Sequence, residues 1–242
     1  MEKPDIGTWQ AELLRLTSFF SAQDEGSDWW EKVVGETPEN VISQPKMQLH
    51  QTEGPFNGGR LVLQKGLLRF DWLLMPNPFG TLEEGIPVLG QFMEINDGFV
   101  NLMMSWLKMD TPDIVRLAFG AVLSRPVPDR QSGYKELSAY LPFELDDRSS
   151  DFLYQINRPR PCATIRSLEI NRLSRWSVSM WRLALRPLPA VSNVTEQYKT
   201  RLELDVSSSA AISEPIPREA LIPLFLEIVD IGKEIASQGD IE

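Results

Sequence analysis

Polar and apolar residues alternate most regularly between 197 and 206. Tyr198, Thr200, Leu202, Leu204 and Val206 take one side, and Lys199, Arg201, Glu203 and Asp205 the other. A two-residue period of this kind predicts a strand with one face on a core and one in water, as in antiparallel sheets. A second signal lies at 61–74, where Leu68, Phe70, Trp72 and Leu74 oppose Arg69 and Asp71. There Lys65-Gly66 supplies a hairpin turn, glycine taking the positive φ. The nearly continuous apolar run at 113–123 predicts a buried strand up to the Arg125-Pro126-Val127-Pro128 break. Further strands are expected near 152–157, 165–172 and 176–186. In the last, apolar residues occupy even positions (Trp176, Val178, Met180) and then odd ones (Trp181, Leu183, Leu185), which predicts a bulge near Met180-Trp181.

Other segments have helical spacing. Ile6, Trp9, Leu13, Leu16 and Phe20 recur at three- and four-residue steps and predict an N-terminal helix. A short helix follows at 29–34 with Asp28 as N-cap. The widest stripe, Phe92, Ile95, Phe99, Leu102, Met103 and Trp106, predicts a helix over 88–107. A short helix is expected at 131–140 and a terminal one at 218–236, with Pro223 placed in its first turn. Strands mostly follow one another, so the expected class is α+β, antiparallel β-sheet packed against long helices. The chain divides into an N-terminal α+β half (1–125) and a C-terminal α+β half (126–242), each with strands and one long helix. That organisation is compatible with two similar halves or one continuous domain, and no sequence repeat marks a duplication.

Composition narrows the function classes. The 242 residues contain one histidine, His50, and one cysteine, Cys162. Most nucleophilic and metal-ligating arrangements need at least two such groups together, so neither a catalytic set nor a metal or other cofactor site is expected. No Gly-x-x-x-x-Gly-Lys-Ser/Thr, Gly-x-Gly-x-x-Gly or Asp/Glu-x-Lys pattern occurs. The carboxylate groups at Asp146-Asp147 with Asp151, at Glu83-Glu84, and at Glu203 with Asp205 read as solvated loops and an outer strand face. A lone cysteine fits a reducing compartment, and the opening residues carry acids and a proline where a signal peptide would be basic and apolar. No apolar run approaches the roughly 20 residues of a membrane-spanning helix. A cytoplasmic location away from membranes is expected.

Net charge is −10, but it is unevenly spread. Between Arg148 and Arg186 lie eight arginines, no lysine, and only Asp151 and Glu169 as acids, so this segment is +6 and the remainder −16. Arginine favours planar, bidentate contact with carboxylate or phosphate and stacks on aromatic rings. Arg172, Arg175, Arg182 and Arg186, interleaved with Trp176 and Trp181, are therefore the candidate partner-binding face. Outward arginines could equally pair with Glu203 and Asp205 on a neighbouring strand. Trp29 and Trp30 are candidate anchors too, because adjacent helical residues cannot both face one core squarely.

The order of elements resembles a sporadically distributed, uncharacterised bacterial family of about this length. The pair Leu63-Gln64-Lys65-Gly66-Leu67-Leu68-Arg69-Phe70-Asp71-Trp72 before a long helix carries the likeness, as does Leu202-Glu203-Leu204-Asp205-Val206 before a C-terminal helix. Asp71 stands where the family pattern has Asn. The resemblance implies an α+β fold in a bacterial protein and assigns no chemistry. The function expected is a non-catalytic protein-interaction or accessory subunit, its partner another protein or a second copy. The alternatives are a binder of nucleic acid or a phosphorylated ligand through the arginine face, and a carboxylate-dependent enzyme.

Overall fold

A single antiparallel sheet carries every described strand of the computed structural model, which describes residues 5–22, 29–77, 87–146, 148–184, 194–210 and 214–240, the side chains of 47, 182–184, 194 and 195 excepted. The strands are β1 (Gln10–Phe20), β2 (Asn40–Gln44), β3 (Leu49–Phe56), β4 (Gly59–Lys65), β5 (Arg69–Pro76), β6 (Gly90–Gln91), β7 (Ile114–Val127), β8 (Leu153–Asn157), β9 (Arg160–Pro161), β10 (Glu169–Ala184) and β11 (Val194–Ser208). Their order is β2-β3-β4-β5-β1-β7-β11-β10-β8, with β6 on β1 and β9 on β10. The helices are α1 (Trp29–Val34), α2 (Phe92–Leu107), α3 (Arg130–Leu137) and α4 (Arg218–Gln238). The class is α+β, and no helix among the described residues is long and apolar enough to cross a membrane.

The core lies between the sheet and α2 and α4. Alternation sends Leu61 and Leu63, Phe70, Trp72 and Leu74, Leu117 and Phe119, and Leu202, Leu204 and Val206 to the helix side, each less than 5% exposed. Burying such side chains contributes about 1.5–3 kcal/mol apiece. The Leu204 strand and Phe70, Trp72 and Leu74 of the hairpin follow their alternation, because one buried face locks register. Leu68 instead falls in the turn, 43% exposed, and Gly66 there does not take the expected positive φ.

The N-terminal segment is a strand, not a helix. A register irregularity between Ala11 and Leu13 shifts the inward side from Trp9 and Ala11 to Leu14, Leu16, Ser18 and Phe20. That extra residue inside a two-residue period produces spacings of three and four, which imitate a helical stripe. The bulge expected at Met180-Trp181 is not there. β10 pairs with β11 in unbroken register from Ile170↔Ser208 to Ala184↔Val194, and the strands expected at 165–172 and 176–186 are one strand. The division at 125/126 falls inside β7, which pairs with β1 and β11 on its two sides, so the sheet is continuous across it.

α2 begins at Phe92 rather than 88, because Gly90 and Gln91 pair with Ala11 and Gln10. Gly90 takes φ +138°, a conformation open to glycine alone. Pro223 sits in the second turn of α4, inside the helix, where the ring removes one backbone bond. Burial of Leu221, Leu224, Phe225, Ile228, Ile231 and Ile235 outweighs that loss. At the far end Gly239 (φ +80°) lies against the Tyr140 carbonyl, where a Cβ would collide with the backbone. Asp28, Glu83, Glu84, Asp147 and Arg186 lie outside the described residues.

Candidate interaction surface

Strand parity separates the arginines that the charge asymmetry groups together. Arg172 and Arg175 are three apart on β10, so they point to opposite faces. Arg172, with its side chain only 10% exposed, turns to the helix side and pairs with Glu234 of α4 at 3.4 Å, which also takes Arg160 at 2.9 Å. Burial pulls the Arg172 guanidinium below its ordinary pKa, against the opposing pull of Glu234. Beyond α4, the Asp240 carboxylate accepts from Arg158 Nε at 2.6 Å and from the Tyr154 hydroxyl at 2.5 Å, and its N–H donates to the Tyr140 carbonyl. Burial works to raise the Asp240 carboxyl, but the Arg158 and Tyr154 hydrogen bonds and the arginine charges hold it below the usual carboxylate range. Burial, then the bond to Asp240, pushes the Tyr154 phenol up. Three arginines of the basic segment thus hold the end of α4 against β8, β9 and β10.

The face away from the core is laced by ion pairs. Arg175 meets Gln155 at 2.8 Å and Glu203 at 3.5 Å; Arg201 meets Glu203 at 2.8 Å; Arg15 meets Asp205 at 3.2 Å. Lys199 reaches Glu12 at 3.2 Å, and Asp71 accepts from Thr17 and Arg69. The Phe19 ring lies between the guanidinium groups of Arg69 and Arg116, 5.6 and 5.2 Å from its centroid. Around Gly120, Arg15, Gln155, Arg175, Glu203 and Asp205 rim a shallow hollow of about 310 Å³. The partly exposed pairs of Arg15, Arg175 and Arg201 contribute about 0–1 kcal/mol each and mainly satisfy one another, whereas Lys199 and Asp71 are buried.

The other candidates are interior. Trp176 is fully buried, Trp29 is 3% exposed and Trp30 2%. The two adjacent tryptophans do part company, as their neighbouring positions require: Trp29 packs on Trp106 of α2 and Trp30 stacks on Trp72 of β5. Cys162 is buried beside Glu227, its thiol pushed up by burial, which makes it a poor nucleophile. His50 is half-buried on β3. Among the described residues no three His, Cys, Asp or Glu side chains group as a metal site would.

Exposed apolar residues collect elsewhere. β8 pairs with β10 only over 153–157 with 173–177, and β7 with β11 only through Tyr198–Ser207. From Trp181↔Gln197 on, the two strands pair only with each other among the described residues, forming a two-stranded ribbon. Trp181, 56% exposed, stands at the start of the ribbon, and Met180, 38% exposed, one pair before it on the opposite side, where Tyr198 still pairs with Val127. An isolated ribbon is marginal in water, and exposed tryptophan is the residue type that most often anchors protein interfaces. Arg182 has its backbone on the same ribbon. The switch of apolar parity at 180/181 is the sequence signal of this feature: without a bulge, apolar residues on both sides leave at least one in water. No protein-family model matches the chain, and no curated protein matches it.

Proposed function

We propose that this chain is a non-catalytic interaction or accessory subunit that engages a protein partner through the free end of the β10–β11 ribbon, with Trp181 as anchor. The exposure of Trp181 beside Met180, beyond the reach of β7 and β8, carries this reading. The arginines that could have gripped phosphate are mostly engaged with carboxylates of this chain, which favours a protein over a nucleic acid. The test is capture of native partners with the wild type and with Trp181→Ser. The variant should keep the wild-type circular dichroism and lose the partner. A stoichiometric partner retained at wild-type level by Trp181→Ser would refute the ribbon assignment.

The proposal extends to a cytoplasmic, bacterial setting, in line with the family resemblance, and to an origin in two similar halves. Supporting the last point, β1 and β7 lie side by side, each followed by a short helix and a set of antiparallel strands. The last strand of each set, β5 or β11, returns beside the first, and α2 or α4 follows.

A further inference from the structure

β2 is the outer strand of the sheet among the described residues, and all five of its residues are exposed. Val41 is 56% and Ile42 44% exposed. Asn40–Gln44 itself contains no charge and no proline, so only its short length and the flanking Pro38 and Pro45 limit pairing along this edge. The opposite edge strand, β8, is equally short and uncharged, but Tyr154 on it and Arg158 just beyond it are tied to Asp240.

We propose that β2 pairs antiparallel with β2 of a second copy of this chain, across a two-fold axis at Ile42. Strand geometry selects the register. An edge strand turns its free N–H and C=O groups outward from every second residue. A strand meeting its own copy antiparallel must therefore be centred on a residue, not between two. Full overlap of Asn40–Gln44 puts that centre at Ile42, with Val41 opposite Ser43 and Asn40 opposite Gln44 of the second copy.

Charge agrees with this direction. Glu36 and Glu39, the latter paired with Arg60 at 2.8 Å, precede the strand and Lys46 follows it, all exposed. Antiparallel pairing lays the acidic end of one β2 against the basic end of the other, twice; parallel pairing would oppose like charges. The contact is self-complementary and closes at two copies, whereas pairing of β2 with β8 of another copy would propagate. A five-residue edge buries less than the roughly 1,200–2,000 Å² of a standard interface, so the dimer is weak and concentration-dependent.

Sedimentation of the full chain from low micromolar to near-millimolar concentration tests this. The wild type should pass from monomer to dimer. Ile42→Lys, which sets two like charges at the axis without touching the core, should weaken dimerisation on the order of tenfold or more with unchanged circular dichroism. Lys46→Glu should weaken it less, and adding Glu36→Lys should restore it. A wild type monomeric throughout, a dimer indifferent to Ile42→Lys, or growth past the dimer would each overturn the proposal. None of these outcomes bears on the ribbon, whose anchor Trp181 lies on a different strand pair.

Discussion

Two aromatic clusters hold this molecule together, and they are built on different physics. One runs Trp29–Trp106–Trp72–Trp30, with successive ring centroids 6.4, 6.1 and 6.3 Å apart. The indole N–H groups of Trp30, Trp72 and Trp106 are buried there without a hydrogen-bond partner among the described residues. The other joins Trp9, Tyr140 and Trp176, with centroids 5.2 to 6.3 Å apart. In this second cluster Trp9 Nε1 donates to the Ala236 carbonyl at 3.0 Å and Trp176 Nε1 to Ser174 Oγ at 3.1 Å. The Arg125 guanidinium lies over both Trp9 and Tyr140 while pairing with Glu136 and Thr8. The end of α4 is pinned to the same place through Gly239, Asp240 and the Tyr140 carbonyl. The tryptophan chain is stabilised mainly by area and ring packing, with Lys32 over the Trp29 ring, and carries a cost of about 1–3 kcal/mol per stranded donor. The second cluster trades some apolar area for directional bonds, which fix where α4 ends.

The largest expected effect comes from removing the charge at the centre of the second cluster. Arg125→Met should cost about 3 kcal/mol in urea unfolding, because Glu136 and Thr8 lose their donor and two rings lose their cation. A cost near zero would show that the cluster needs only packing, and the contrast between the two would collapse.

Next is the latch. Asp240→Asn should cost about 2 kcal/mol at neutral pH, the scale of hydrogen bonds to a charged group. Its pH dependence has a definite sign. The folded carboxyl is held below its ordinary value, so its stabilisation is present above the usual carboxylate range and fades as pH falls through the depressed folded value. Wild type and Asp240→Asn should therefore converge in stability on acidification. Curves that stay parallel from neutral to acid pH would remove Asp240 from the account.

The finest discrimination compares two identical substitutions. Trp176→Phe leaves Ser174 without its donor and opens a cavity, at about 2 kcal/mol; Trp72→Phe opens a similar cavity but removes a stranded N–H, at about 1 kcal/mol. Equal losses would mean that the unpaired indoles cost little, and that the two clusters differ only in appearance.

Local pattern by itself determined the strands at 61–74 and 197–206 by alternation and that at 113–123 by its continuous apolar run, because each signal needs nothing beyond neighbouring residues. The stripe of α2 and the terminal helix are readable for the same reason, as is the α+β class. The shortage of histidine and cysteine belongs to the sequence alone as well. Tertiary structure decided the rest. One irregularity between Ala11 and Leu13 turned an apparent helix into the central strand β1, because its two partner strands claim the backbone hydrogen bonds along the segment. Parity in one unbroken strand sent Arg172 and Arg175 to opposite faces, and partners more than 60 positions away along the chain, Glu234 and Asp240, took up Arg172, Arg160 and Arg158. Where a side chain finds its counter-charge depends on which strands meet, and that pairing is written in no local window. For the same reason Trp176 and Trp181, five residues apart on one strand, came to rest in the deepest core and in water.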